Sequence, residues 1–552
     1  MFAFSRLRWS RPVIFIAILG LLAFSESDDV FREYNLKYLD DIFTQISDPL
    51  QATRVYYQAL EQLKLPTEVN FDRLKRLEGD VEDIFSDRDR EQYRALPTHA
   101  ARVKFMLYFW RREDMTPATE VNERLIEHYQ RLAYVRQAFP AFNKRGYDDR
   151  GAIYVRYGPP DERVISPETG YCNAMETWAY YKFGKPVTFD FIDKGDGFRL
   201  AMRFDEGVKV GDQLSRWQAI GELLDRRKHL STTWFAMRTA WDQYEHEPIG
   251  MQRKLLLLDQ VISEQSERIL VARKQLPITT TDVFKDQKPL PFTARAAWFR
   301  DSDLQHTFLL YFSVRRRDII DADEANLHCR AAIKWSDQRL ITSTMDSIAV
   351  PLMNGSGAEI LSGGWQFHVG PGSYILALEL QNPAGIQHSS KTFIAETGPT
   401  DSHTLQLSSV IFASRIDSMD AMVPGSIVRN GLRILPLAID KLPADQPVFI
   451  YFELYNLQVD SNNESFFELE YSVERGAGGG LAGLLNRINP FSGKKDRISL
   501  KEVRREKGSR RPIFFQFDFR NLLTGKYTLT VRVKDHYSNI VRERQVQFAL
   551  TD

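Results

Sequence analysis

Cysteine is nearly absent from this chain: Cys172 and Cys329 are the only two in 552 residues. A disulfide framework of the kind that staples small extracellular domains is therefore excluded, and a single Cys172–Cys329 bridge is the most that could form. No CxxC or HExxH occurs and the 10 histidines do not cluster, so no metal site is expected. Net charge is missing as well. The 73 Lys plus Arg balance 73 Asp plus Glu, which leaves no chain-wide attraction for nucleic acid or an anionic surface. Past the N-terminus, no run approaches the roughly 18 apolar residues of a spanning helix. A phosphate-cradling loop is absent too, because Gly493-Lys494-Lys495 lacks the hydroxyl and the upstream glycine that a P-loop needs. No cofactor and no nucleic-acid partner are expected.

One segment departs from this pattern. Arg6, Arg8 and Arg11 precede an apolar run, VIFIAILGLLAF at residues 13–24, with small residues at Ala23 and Ser25. A positive stretch, a short apolar run and a small-residue site predict a signal peptide over residues 1–25, export, and cleavage near Ser25. The competing expectation is an uncleaved N-terminal anchor. No cysteine adjoins the site, so lipid attachment is not expected.

At 43% hydrophobic and 26% charged residues the chain has the composition of folded domains, and its length asks for about three or four of them. Residues 30–139 carry helical signals. Asp29 is placed to cap the first helix, Pro49, Pro66 and Pro97 punctuate those that follow, and Val121, Leu125, His128, Leu132, Val135 and Phe139 recur in steps of four and three. His128 thus lies on an apolar stripe, where a core histidine competes with a functional one. Over residues 151–202 the period becomes two. Ile153, Val155 and Tyr157 alternate with Tyr154 and Arg156, and Val187, Phe189 and Phe191 repeat the pattern, which predicts strands of a small antiparallel sheet packed on the helices. Helix returns over 212–245 around Trp217, Trp234 and Trp241, while 254–274 fits one long helix or a hairpin broken at Gln265-Ser266.

The last half reads as β. Short β-rich segments at 292–299, 307–314, 331–335, 365–369 and 374–380 are separated by turn residues. A second copy follows: GSYILALELQN from Gly372 aligns with GKYTLTVRVKD from Gly525, pairing Tyr374 with Tyr527 and Leu376 with Leu529, and LLYFSV from Leu309 matches FIYFEL from Phe449. The expected organisation is a mostly helical α+β domain with a small antiparallel sheet (30–285), then tandem immunoglobulin-like β-sandwiches at 286–400 and 401–552. The second copy carries a Gly/Leu-rich insertion at 476–495. Leu481, Leu484, Leu485, Ile488 and Phe491 within it would be costly to leave in water as one patch, so they tuck back, cover an edge, or touch a partner or a membrane.

The stretch GYDDRGAIYVRYGPPDE, residues 146–162, concentrates acids, arginines and tyrosines between glycines and a double proline. Gly146 and Gly151 bracket a turn that Asp148 or Asp149 can tie down, and Gly158, Pro159 and Pro160 end ladder pairing. Asp148, Asp149, Asp161 and Glu162 are the surplus, open to acid/base chemistry, cation binding or neutralisation by Arg145, Arg150, Arg156 and Arg163. A structural corner, a binding edge and a catalytic loop all fit.

With FWRREDMTPATEVNERLIEHYQRLAYVRQAF before it (109–139) and ETWAYY (176–181) and FDFIDKGDGF (189–198) after it, this stretch resembles the bacterial GWxTD-domain family. In that family an Arg-rich helix end and Asp-x-Thr-Pro lead to a Gly-Trp-x-Thr-Asp turn, a strand and Tyr-Gly-x-Pro-Asp. Here Tyr147 stands where tryptophan is usual, which favours packing over strict chemistry. The resemblance implies candidate binding or motif residues at Arg111, Arg112, Asp114, Asn122, Glu123 and His128. It implies the same for the turn Gly146, Tyr147, Asp148, Asp149 and Arg150, for Tyr157, Gly158, Pro160 and Asp161, and for Glu176 and Trp178, with no catalytic residue to carry over. The expected function is an exported bacterial cell-envelope interaction or scaffold protein with an envelope or secreted protein partner. The alternatives are an envelope hydrolase using Asp148, Asp149, Asp161 and Glu176, and a carbohydrate-binding accessory protein using Trp298, Trp335 or Trp365, most of which alternation places inside.

Overall fold

The computed structural model describes residues 29–551 apart from 210, 303–304, 321–325, 337–338, 350–359, 398–402, 419–424, 439, 444–446, 476–496 and 521. The expected leader and the leucines of the insertion lie outside the described residues. Among the described residues no helix is long and apolar enough to cross a membrane.

The fold is α+β, helices first and strands after. Helices Pro49–Gln62, Glu68–Val81, His99–Glu113 and Glu123–Ala138 are each opened by a side-chain cap from Asp48, Thr67, Thr98 and Asn122. They bury one aromatic-rich core around Tyr56, Trp110 and Tyr129. The stripe expected from Val121 starts as helix only at Glu123, because Asn122 receives the Leu125 N–H at 2.8 Å and caps it.

Next comes a four-stranded antiparallel sheet in sequence order: β1 (Glu162–Ser166), β2 (Met175–Tyr180), β3 (Val187–Asp193) and β4 (Phe198–Ala201). Helices Gln213–Arg227, Thr232–His246 and Met251–Lys274 pack behind it around Trp217 and Trp234. The sheet is therefore a middle layer. Trp178, Tyr180, Phe189 and Phe191 face the first helices, while Met175, Ala179 and Ile192 face the second set. That position is why β2 is buried at every residue. Residues 254–274 form part of one helix, whose Leu258, Ile262 and Ser266 share a buried face at steps of four.

One expectation is corrected. Residues 151–157 are not a strand: Asp149–Tyr157 is an α-helix capped by Asp148. Nine residues cannot separate a period of two from one of 3.6, since Ile153 and Tyr157 are also one helical turn apart. The deciding signal was Asp148-Asp149, a capping residue followed by an acid in the first turn. The sheet begins at Glu162 instead.

The β half holds two sandwiches. The first comprises β5 (Lys288–Pro289), β6 (Thr293–Arg300), β7 (His306–Arg315), β8 (Asn326–Trp335), β9 (Leu340–Ala349), β10 (Ile360–Val369), β11 (Gly372–Gln381) and β12 (Gln387–Thr397). The second comprises β13 (Gln406–Leu407), β14 (Ile411–Ser418), β15 (Ile427–Arg429), β16 (Leu432–Leu437), β17 (Lys441–Pro443), β18 (Val448–Tyr455), β19 (Glu464–Arg475), β20 (Arg497–Lys507), β21 (Arg511–Phe517), β22 (Gly525–Asp535) and β23 (Val541–Thr551). The order β5-β12-β11-β8-β9 in one sheet recurs as β17-β23-β22-β19-β20, each opened by a short parallel pair, and β10-β7-β6 recurs as β21-β18-β14. Tyr374 and Tyr527, aligned from sequence, do the same job. Each hydroxyl donates to the carbonyl four residues upstream, Gly370 at 2.8 Å and Leu523 at 2.7 Å. The connection from β8 to β9 is short and that from β19 to β20 long, where the insertion was expected.

Cys172 and Cys329 are buried in different cores and do not pair with each other. The three sandwich tryptophans depart from the expected burial. Trp298 and Trp365 are half-buried against the first sandwich core, and Trp335 is 39% exposed, stacked on Tyr374 at 5.1 Å. Trp298 and Trp365 lie in the three-stranded sheet and Trp335 in the five-stranded one.

Candidate functional site

The 146–162 stretch is a corner between layers. After helix Glu123–Ala138 the chain reverses through a hairpin in which Gly146 adopts φ +81° and Asp148 N–H donates to the Phe139 carbonyl at 3.0 Å. Tyr147 then turns inward, fully buried, and its hydroxyl donates to Asp83 Oδ2 at 2.9 Å. Gly151, one helical turn on, lies flat against that ring: a Cβ there would come within 2.5 Å of Tyr147 Cδ2. Gly151→Ala is expected to lower the unfolding free energy by about 1–3 kcal/mol, read as a drop in the urea midpoint, because the ring is held from both sides.

The acids are all engaged. Asp148 is buried, caps the helix through the Arg150 N–H at 3.0 Å, and accepts from Arg150 Nη2 at 2.7 Å and the Phe198 N–H at 3.1 Å. Asp149 accepts from Arg145 Nη2 at 3.2 Å and the Leu200 N–H at 2.8 Å. Glu176 on β2 accepts from Arg150 Nη1 at 2.6 Å, Arg163 Nη2 at 2.7 Å and Trp178 Nε1 at 2.8 Å. Burial works to raise the Glu176 carboxyl, but Trp178, Arg163 and Arg150 together hold it below its ordinary value. Arg150 completes the unit by lying 3.7 Å over the Phe198 ring. One guanidinium thus joins the helix cap, β2 and β4.

The double-proline turn is held as firmly. Gly158 sits at φ +73° and ψ −163°, a backbone state that favours glycine, and its carbonyl accepts from the Tyr180 hydroxyl at 2.9 Å. Tyr157 donates to the Pro277 carbonyl at 3.0 Å. Pro160 is half-buried, and Asp161 accepts the Tyr181 N–H at 2.6 Å. His128 is a core residue, fully buried, with Nε2 3.0 Å from the Asp80 carbonyl; burial and neighbouring arginines depress its pKa far below the usual value.

The remaining motif residues form a second locus. Arg112 clamps Asp89 at 2.7 and 3.1 Å, and Arg111 is half-buried on the same helix end. Asp114 begins the Asp-Met-Thr-Pro loop, whose Thr116 hydroxyl donates to Glu123 and whose Ala118 N–H donates to Glu379 Oε1 of the first sandwich at 2.7 Å. Lys334 Nζ, 2% exposed, lies 4.0 Å from Asp114. Ala118, Ala332 and Ala377 pack beside them.

Burial pushes the Asp114 carboxyl up to about 7, with Lys334 pulling against it and Glu123 and Glu379 adding to the rise; burial raises Glu123 as well. A carboxyl with a raised folded value binds its proton more tightly in the folded chain, so its contribution to stability falls as pH climbs from about 4 through about 7 and changes no further above that. Asp114→Asn is expected to flatten that part of the melting-temperature profile. Asp80, raised by burial to about 6 in the same window, keeps its share in both proteins.

A third polar cluster was not anticipated. Glu453, fully buried on β18, accepts from Arg429 Nε at 2.6 Å, Arg510 Nη2 at 3.0 Å, and the hydroxyls of Tyr451 and Tyr455 at 2.8 and 2.9 Å. Arg429 also reaches Asp301 at 2.9 Å, Arg510 reaches the Asp301 carbonyl at 2.7 Å, and Tyr455 receives the Arg300 N–H at 2.9 Å. These bonds tie the second sandwich to the first beside an apolar seam of Phe299, Leu309, Ile411 and Tyr451. Lys334, Glu379 and Glu453 each interrupt an apolar strand run, and that was the signal available in sequence.

Among the described residues no three ligating groups converge as a metal site would require. Neither a family model nor a curated protein matches the chain. Solved structures that match include Escherichia coli alpha-2-macroglobulin activated by porcine elastase, at 12% identity over 47% of this chain and 23% of that one, with a TM-score of 0.14. Salmonella alpha-2-macroglobulin reacted with methylamine matches at 13% identity over 47% of this chain and 24% of that one, TM-score 0.19. The chain spans about a quarter of the length of these proteins, and superpositions this loose carry no argument about fold or function.

Proposed function

We propose that this chain is an exported bacterial cell-envelope interaction or scaffold protein of the GWxTD-domain kind, which binds protein partners. The observation that carries the reading is the use made of the motif charges. Asp148, Asp149 and Glu176 are each held by an arginine, and Asp161 by the Tyr181 N–H; all four take part in joining elements. A general acid or base needs an oxygen facing substrate, and a glycoside pair needs two carboxylates flanking an open cleft. The two polar joints further support the scaffold reading, because they fix three folded bodies in a row. Export rests on the leader residues alone.

The test is in situ cross-linking of the full chain expressed with its own leader, followed by fractionation. The chain is expected outside the cytoplasmic membrane, cross-linked to a recurrent envelope or secreted protein. Retention in the cytoplasm, or turnover of peptide or glycan that is lost on Glu176→Gln, would overturn the reading.

A further inference from the structure

A cleft of about 1000 Å³ lies between the sandwiches and continues into a hollow of about 700 Å³ that shares Ser409 and Arg544 with it. Its long wall is β23. That strand pairs with β22 along its length, but on the other side β17 covers only Ala549–Thr551. The Ala549 N–H points to this side, donating to the Asp440 carbonyl at 2.8 Å. By the alternation of an antiparallel ladder, Gln547, Gln545 and Glu543 aim their N–H and C=O groups the same way. Among the described residues no backbone group pairs with Gln545 or Gln547 on that side. Natural edges are commonly blunted by proline or by cover, and β23 contains no proline.

The opposite wall is β6, itself an edge. Trp298 is already paired with Ser409 and Arg300 with Tyr455, and Ala296 and Ala297 line the cleft beside them. Phe393, Val546 and Phe548 supply apolar lining. Lys441, Lys526 and Arg544 are exposed at the cleft with no partner among the described residues, and the acid beside them, Asp440, is held by Arg295 at 2.7 Å. The larger chamber is therefore an open strand edge with unbalanced positive charge.

We propose that this cleft binds an extended acidic segment of a partner protein, added as a strand along Glu543 to Gln547 of β23. The edge supplies main-chain hydrogen bonds, Lys441, Lys526 and Arg544 select acidic side chains, and the apolar lining takes the alternate ones. The inference rests on the reading of the chain as a partner-binding protein and names the surface and the chemistry.

The probe is a fluorescent eight-residue peptide of alternating glutamate and valine, titrated by polarisation against the full chain without its leader. The expected result is binding about tenfold or more tighter than that of the lysine-for-glutamate peptide, with the preference abolished by Lys526→Glu/Arg544→Glu and retained by Lys501→Glu on the far edge strand β20. Gln545→Pro removes one edge N–H and should abolish binding. Because that variant could misfold, the wild-type chain is also tested with two further peptides, one N-methylated on every glutamate and one on every valine; an added strand bonds the edge through only one of these two sets of N–H groups, so one of the two peptides should lose binding. Equal binding of both charge versions, or full binding of both N-methylated peptides, overturns the proposal. So does self-association through this edge in sedimentation without peptide binding, which would make the occupant a second copy. If peptide binding fails while the cross-linked envelope partner is still recovered, the strand-addition inference falls and the interaction reading stands.

Discussion

Glu453→Ala is expected to lower the unfolding free energy of the sandwich pair by about 3–5 kcal/mol. Glu453 is the shared acceptor for Arg429, Arg510, Tyr451, Tyr455 and Asn430 at the seam between the sandwiches. Burial alone would raise its carboxyl, yet Arg429, Tyr451 and Arg510 hold it below the usual range, so it stays ionised where it is needed. Truncating it leaves the almost wholly buried Arg429 with Asp301 as its remaining carboxylate, and leaves Arg510 with carbonyl partners alone. The penalty comes from uncompensated charge, more than from lost contact. Replacing Glu453 and Arg429 together by apolar residues of similar volume should therefore restore part of the loss, a result that simple contact counting would not give. Urea midpoints of the β-sheet signal measure both. Limited proteolysis in the linker between the sandwiches should be faster for the single variant.

The second large effect is expected at Arg150. Arg150→Ala removes the cation shared by Asp148 and Glu176, both buried, and with it the link from the helix cap to β2 and the cover on Phe198. The expected loss is again about 3–5 kcal/mol, seen in the helical signal of the first 285 residues. Arg150→Lys should recover only part of it, because a single ammonium cannot bridge two carboxylates with the fixed fork that the guanidinium uses.

These two sites differ in how far sequence reveals them. The sandwich repeat was readable from Tyr374 and Tyr527 because identical local demands recur at the same place in each copy. The corner was half readable. Its arginines and acids were adjacent in sequence, so neutralisation was a natural reading, but the helix was mistaken for a strand because Ile153, Val155 and Tyr157 satisfy both periods over so short a run. Asp148 as the cap and Asp149 in the first turn decide that segment, which then buries Ile153, Val155 and Tyr157 in the core of the first helices. Glu453 and Lys334 were overlooked as joints because their partners lie far away in sequence. An ionisable residue inside an apolar strand marks a requirement for such a partner without naming it. Asp83, which receives Tyr147 and Arg145, was invisible for the same reason.

The central claim is that the motif charges of the corner hold the fold together and are not reserved for chemistry. The most direct measurement is a double-mutant cycle on stability with Arg150→Ala, Glu176→Ala and the pair. The account predicts a coupling energy of about 2 kcal/mol or more, with each single variant clearly less stable than the parent. Single variants within about 0.5 kcal/mol of the parent and a coupling near zero would contradict it, and would mean that Glu176 is free to serve a substrate.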